Sequence, residues 1–235
     1  MAGEQTPPRA PWIDGVKQTG QLTIGFDASL ARAGWDGVFR NAITEFNKLS
    51  TTHNLGVAFV QTQDLQAANV EARAARGDFE FEYPPHIAKK KIAFDGAEVH
   101  GLCKPLLTQV RDRRTRTDEF KLMRAFIYVP AAPLTDKHGK SRVVGDPVKL
   151  VIAVHEMIHA CGLVDNDEHS VDDIFSWPQL RVGTQASEDR LATLGGTITF
   201  PGKPGEPPRT GHSTINMPPL FLKAETATKV RNLWA

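Results

Sequence analysis

Residues 146–165 read DPVKLVIAVHEMIHACGLVD, and they decide the fold. Asp146 followed by Pro147 is a helix start. The aspartate can accept from the open amides of the first turn, and the proline stands where a missing N–H costs nothing. From Val148 to Cys161 the chain is apolar on all sides apart from Lys149 and residues of the 155–159 stretch, so this helix belongs at the centre of the molecule. Gly162 ends it, because glycine alone enters a left-handed C-terminal turn without a Cβ penalty.

Inside the helix lies HEMIH, residues 155–159. His155 and His159 are one turn and a little apart, so both imidazoles leave the same face and can meet one ion at about 2.0–2.1 Å. Glu156 falls on the flank of that position. There it can hydrogen-bond a bound water without filling a coordination place, which suits a general base for a zinc-polarised water. With eight histidines in the chain, the five-residue pattern would arise by chance in roughly one or two of a hundred such sequences. The competing reading is three hydrogen-bonded core residues. It needs a partner for each, since an unpaired buried polar group costs roughly 2–7 kcal/mol.

HEMIHACGLVD resembles the metzincin clan of zinc metallopeptidases, whose extended motif is H-E-x-x-H-x-x-G-x-x-H, with Asp in the last place in the snapalysin-like branch. The resemblance implies a glycine-permitted turn after the helix and a third zinc ligand beneath the ion. Spacing puts Asp165 in that place. Ligand chemistry favours a histidine, and a longer loop would bring His169 instead; the two stand as alternatives. A calcium loop in the acidic 165–168 stretch fails on spacing, because Ser170 and Ser176 occupy the positions that need glycine and a bidentate glutamate. The clan also carries a tight turn whose methionine floors the metal, followed by a C-terminal helix. Met217 in TINMPPLFL, with a helix expected over 224–234, fits that order. The tyrosine that often follows that turn is replaced by Pro218 and Pro219, so no tyrosine role carries over.

Outward from the motif, QLTIGF (21–26) alternates as a strand. Trp35, Val38, Phe39, Ala42, Ile43, Phe46 and Leu49 mark a long amphipathic helix. Residues 55–61 and 69–75 read as strands, 77–110 as short strand-like pieces broken by Gly and Pro, and AFIYV (125–129) as a strand closed by Pro130. In the final stretch Ala227, Val230 and Trp234 share one face of a helix. The expected class is α+β: a metzincin-like zincin with a twisted mixed sheet, a long backing helix, a central active-site helix, a Met-turn and a C-terminal helix. An N-terminal tail (1–20), an upper subdomain (21–162) and a lower subdomain (163–235) are the expected parts.

The 235 residues suffice for one catalytic domain, and 40% hydrophobic with 23% charged residues excludes a disordered chain. Lys plus Arg number 28 and Asp plus Glu 27, so no global field draws the chain to nucleic acid or to an anionic membrane. RDRRTR (111–116) and KKK (89–91) read as solvated charge. No run of about 18 apolar residues suggests a membrane helix, and the first residues lack the pattern of a signal peptide. The expected location is cytoplasmic, or in a phage particle, or outside by a non-classical route. Cys103 and Cys161 form no disulfide framework, and Cys161, off the metal face, reads as core.

The resemblance implies a zinc metalloendopeptidase acting on an extended peptide or protein substrate, with Glu156 as general base. Two other classes compete with it. One is a virion-associated or other structural protein that keeps the scaffold and metal with little proteolysis and sits among assembly partners in a larger particle. The other is a zinc hydrolase acting on a non-peptide bond.

Overall fold

The computed structural model describes residues 8–76, 79–81, 90–92, 101–111, 118–131, 134–135, 141–143, 146–164, 197–200, 209–212 and 220–235. In chain order the elements are α1 (Asp14–Lys17), β1 (Gln21–Phe26), α2 (Ala28–Arg32), α3 (Asp36–His53), β2 (Ala58–Thr62) and β3 (Val70–Ala75). Then come β4 (Phe79–Phe81), β5 (Lys90–Ile92), β6 (Leu102–Arg111), β7 (Asp118–Pro130), β8 (Leu134–Thr135) and β9 (Ser141–Val143). α4 (Asp146–Ala160), β10 (Thr197–Phe200), β11 (Arg209–His212) and α5 (Ala224–Trp234) complete the set. The class is α+β.

The main sheet has five strands in the order β2-β1-β3-β7-β6. β2, β1, β3 and β7 run parallel, whereas β6 lies antiparallel on β7 at the edge. The long helix α3 supplies the crossover from β1 to β2, as parallel neighbours require. Its stripe is the expected one: Val38, Phe39, Ala42, Phe46 and Leu49 are buried, with Ile43 partly so. Phe46 meets Phe59 of β2 edge to face at 4.8 Å. α4 packs against α3, β6 and β7. Val148, Val151, Ala153, Val154, Met157, Ile158 and Ala160 of this helix are each 0% exposed, so it lies in the core as its composition requires.

Three strands differ from their sequence expectation. β6, expected as short pieces broken by Gly and Pro, runs ten residues through Pro105, which an edge strand tolerates. β2 begins at Ala58 rather than Leu55. Asn54 closes α3 in the left-handed region (φ 50°), Leu55 N–H donates back to Ser50, and Ser50 Oγ donates to the Val57 carbonyl. Leu55 to Val57 are therefore spent on the helix end. β7 starts at Asp118 rather than near Ala125 and is 13 residues long. Its register with β6 shifts between Leu106 and Leu107, which oppose Arg124 and Leu122 and leave Met123 as the extra residue. That bulge swaps the alternation, so Leu122 joins Ala125, Ile127 and Val129 on the core side. On the other side stand Arg124, Phe126 and Tyr128.

The N-terminal stretch enters the core at Ala10 and Trp12, which are 0% and 1% exposed. α5 docks through Ala227, Val230 and Trp234, the face read from the sequence. Among the described residues no helix is long and apolar enough to cross a membrane.

Candidate metal centre

α4 begins at Asp146 and ends at Ala160, and its last turn is closed in an unusual way. A helix leaves four carbonyls without intrahelical partners at its C-terminus. Here two indoles take two of them: Trp12 Nε1 donates to Ala160 O at 2.8 Å and Trp234 Nε1 to Cys161 O at 2.9 Å. Gly162 N–H returns to His159 O at 2.9 Å, and Gly162 itself has φ +120°. A Cβ at Gly162 would lie 2.5 Å from the Ala10 carbonyl oxygen, so glycine is required there on two counts.

One turn earlier, the rings of His155 and His159 stand at 74° to each other, and their Nε2 atoms are 3.2 Å apart. Two nitrogens each about 2.05 Å from one tetrahedral ion would be about 3.3 Å apart. That spacing is compatible with a two-histidine chelate, as it is with a hydrogen bond between the two rings. The Nδ1 atom of His159 is 2.5 Å from the carbonyl oxygen of Leu163. A carbonyl only accepts, so Nδ1 carries the proton, and in the neutral tautomer Nε2 is the acceptor nitrogen that faces His155. This is how a metal-ligating histidine is commonly oriented. His159 is 6% exposed, and His155 is half-buried.

Glu156 is 3% exposed. Burial pushes its carboxyl up to about 8, and a hydrogen bond from the Cys103 backbone amide pulls it back only in part. The start of β6 runs so close that a Cβ on Gly101 would lie 2.5 Å from Glu156 Cγ and 2.9 Å from Oε1. The glutamate is thus gripped by backbone at the start of the sheet's edge strand, on the same helix turn as the histidine pair, and among the described residues it has no cationic partner. Cys103 and Cys161 are free thiols. Burial raises both well above the ordinary thiol range, with Glu156 adding to the rise at Cys103, so both stay protonated at neutral pH. Cys161 is core, as its place on the helix implied.

His155 and His159 are brought together, Glu156 is buried on the same turn of α4 against Gly101 and Cys103, and Gly162 makes the turn. Asp165, His169 and Met217 lie outside the described residues. Among the described residues no group of three or more His, Cys, Asp or Glu side chains forms a metal site. Three participants escaped sequence reasoning: Gly101, the Cys103 amide and the Leu163 carbonyl. Two of these are backbone groups with no sequence signature, and only Gly101, a glycine opening a strand, carried a hint of close approach. Compared with protein-family models, with curated proteins and with solved structures, the chain matches none of them.

Proposed function

We propose that this chain is a zinc-dependent metallopeptidase of metzincin type. The observation that carries the reading is the 3.2 Å approach of two histidine Nε2 atoms on one helix face, with a buried glutamate between them in sequence. His155 and His159 would hold the ion, and Asp165 or His169 would complete three protein ligands. Zinc, when bound, supplies Lewis acidity and brings the pKa of a coordinated water near 7. Glu156 would take the proton from the attacking water and deliver it to the departing amine. With its carboxyl raised to about 8 by burial it holds a proton near neutral pH in the metal-free chain, and a bound cation would draw that value down and free it as a base. The Cys103 amide and the Gly101 backbone hold it in one place. β6 is the edge of the sheet, so an extended peptide laid against it would pair through its backbone directly beside Glu156.

The test joins metal analysis of the purified chain to digestion of a peptide library by wild type and by Glu156→Gln. One zinc in both proteins, with cleavage by the wild type alone, is the expected result. Zinc without cleavage in the wild type would favour the structural, virion-associated reading. Equal cleavage by both would remove Glu156 from the chemistry, and hydrolysis of ester or amide reporters but no peptide would favour a non-peptide hydrolase.

A further inference from the structure

The stretch Pro8–Trp12 passes between the end of α4 and the middle of β7, tied to both. On the β7 side Leu122 N–H donates to Pro11 O at 2.8 Å, and Ile13 N–H donates to Leu122 O at 3.0 Å. On the helix side Trp12 caps Ala160, Ala10 N–H donates to Gly162 O at 3.0 Å, and Val164 N–H donates to Pro8 O at 2.9 Å. Arg9 and Leu163 form an antiparallel bridge between the last two contacts.

The bond from Val164 to Pro8 reaches the candidate metal centre through one peptide plane. Val164 N–H and Leu163 C=O belong to the same planar unit and point in opposite directions. One end of that unit is held by Pro8 O at 2.9 Å, and the other receives His159 Nδ1–H at 2.5 Å. Turning the plane to break one bond breaks the other. The path from Pro8 through this peptide to His159 ends at the Nε2 that faces His155 at 3.2 Å.

We propose that Pro8–Trp12 is a positioning strap for His159. It holds the Leu163–Val164 peptide in the one orientation that keeps His159 protonated on Nδ1, with an unprotonated Nε2 turned toward His155. The strap sits on buried anchors at Ala10 and Trp12, and its approach needs the missing side chain of Gly162. In its consequence for metal affinity the proposal rests on the metal reading above; in its consequence for the imidazole it does not.

The experiment uses the full chain and two variants. Val164→Pro removes the N–H that Pro8 holds while leaving the Leu163 carbonyl in place. Trp12→Phe removes the indole donor and keeps an aromatic ring in the core. Nitrogen-15 spectra of the metal-free protein read the His159 tautomer, and competition against a chelator reads zinc affinity. In wild type Nδ1 should carry the proton. In both variants the two tautomers should mix, and zinc affinity should fall about 10- to 100-fold, with a cooperative unfolding transition retained. A folded variant of either kind with the wild-type tautomer and wild-type zinc affinity overturns the proposal. If Val164→Pro does not fold, Trp12→Phe decides it. If wild type binds no zinc, the metal reading fails separately, and the nitrogen spectra still decide the strap.

Discussion

Glu71 and Glu156 are buried to almost the same degree, 4% and 3% exposed, in opposite surroundings. Glu71, on the side of β3 facing away from α3 and α4, is clasped by two guanidinium groups. Arg73 Nη2 binds its Oε1, and Arg124 Nη2 binds its Oε2 at 3.0 Å. Arg124 is further tied to the Leu65 carbonyl and lies 5.2 Å from the Phe126 ring centroid. Burial, and then the neighbouring Arg73, lower the pKa of Arg124, so this cation depends on its carboxylate. Glu156 has no arginine or lysine partner among the described residues. It has one backbone amide, a glycine pressed against it and two imidazoles on its own helix. The first carboxylate is consumed in holding strands together. The second is left dry, with its pKa raised to about 8, on the turn that carries the two imidazoles, a poor arrangement for stability and one typical of functional groups.

The contrast breaks most visibly if each glutamate is replaced by its amide. Glu71→Gln strands Arg124 without its counterion and should cost about 3–5 kcal/mol in urea unfolding; a loss near zero would mean the cluster is solvated and the distinction false. Gly101→Ala comes next. With a Cβ 2.5 Å from Glu156 Cγ, either the start of β6 or the carboxyl must move, at about 1–3 kcal/mol. Peptide turnover should drop with zinc content unchanged, and a variant equal to wild type in both respects would show that the close approach does not hold Glu156.

Asp27 offers a smaller, half-buried counterpart to Glu71. It caps α2 by accepting from Ser29 N–H at 2.8 Å. Burial acts to raise its pKa, but the side-chain and backbone hydrogen bonds of Ser29, with Arg73 and Arg32, outweigh that and hold it below 3.8. A depressed folded-state pKa stabilises above the unfolded value and is lost as pH falls through the folded one. Asp27→Ala should therefore cost about 0.5–2 kcal/mol at neutral pH. The gap to wild type should close as the pH drops below 3.8, and a gap that widened in acid would reverse the assignment. Smallest is the stability effect of Glu156→Gln, expected within about 1 kcal/mol, since the amide still accepts from Cys103 and no cation is left behind. A loss as large as that of Glu71→Gln would place Glu156 among structural residues.

Local pattern made α3, α4, α5 and the HEMIH face legible, because a helix displays its periodicity within a dozen residues. β1 and β3 were legible for the same reason at a period of two. The lower half of β7 was not: Met123 bulges out, the alternation changes sign there, and Leu122 looks like a residue of the wrong face until β6 is paired with it. Glu71 was readable only as a polar place in a weakly alternating strand, since its meaning comes from Arg124, more than fifty residues away. The strap at Pro8–Trp12 was hidden by composition. A short proline-rich stretch has no period, and its partners are backbone atoms around residues 122 and 160–164.

The residue order alone carries the list of donors and the turn that presents them: two imidazoles and a carboxylate within five residues of a helix too apolar to lie outside, closed by a glycine. That much follows from helical geometry and the cost of exposing apolar surface, which are local. Folding alone settles which nitrogen of His159 carries the proton, what holds Glu156 still, and which buried glutamate is spent on arginines. Each of these depends on a backbone amide or carbonyl, or on a side chain far along the chain, and such groups acquire direction only when the chain is folded.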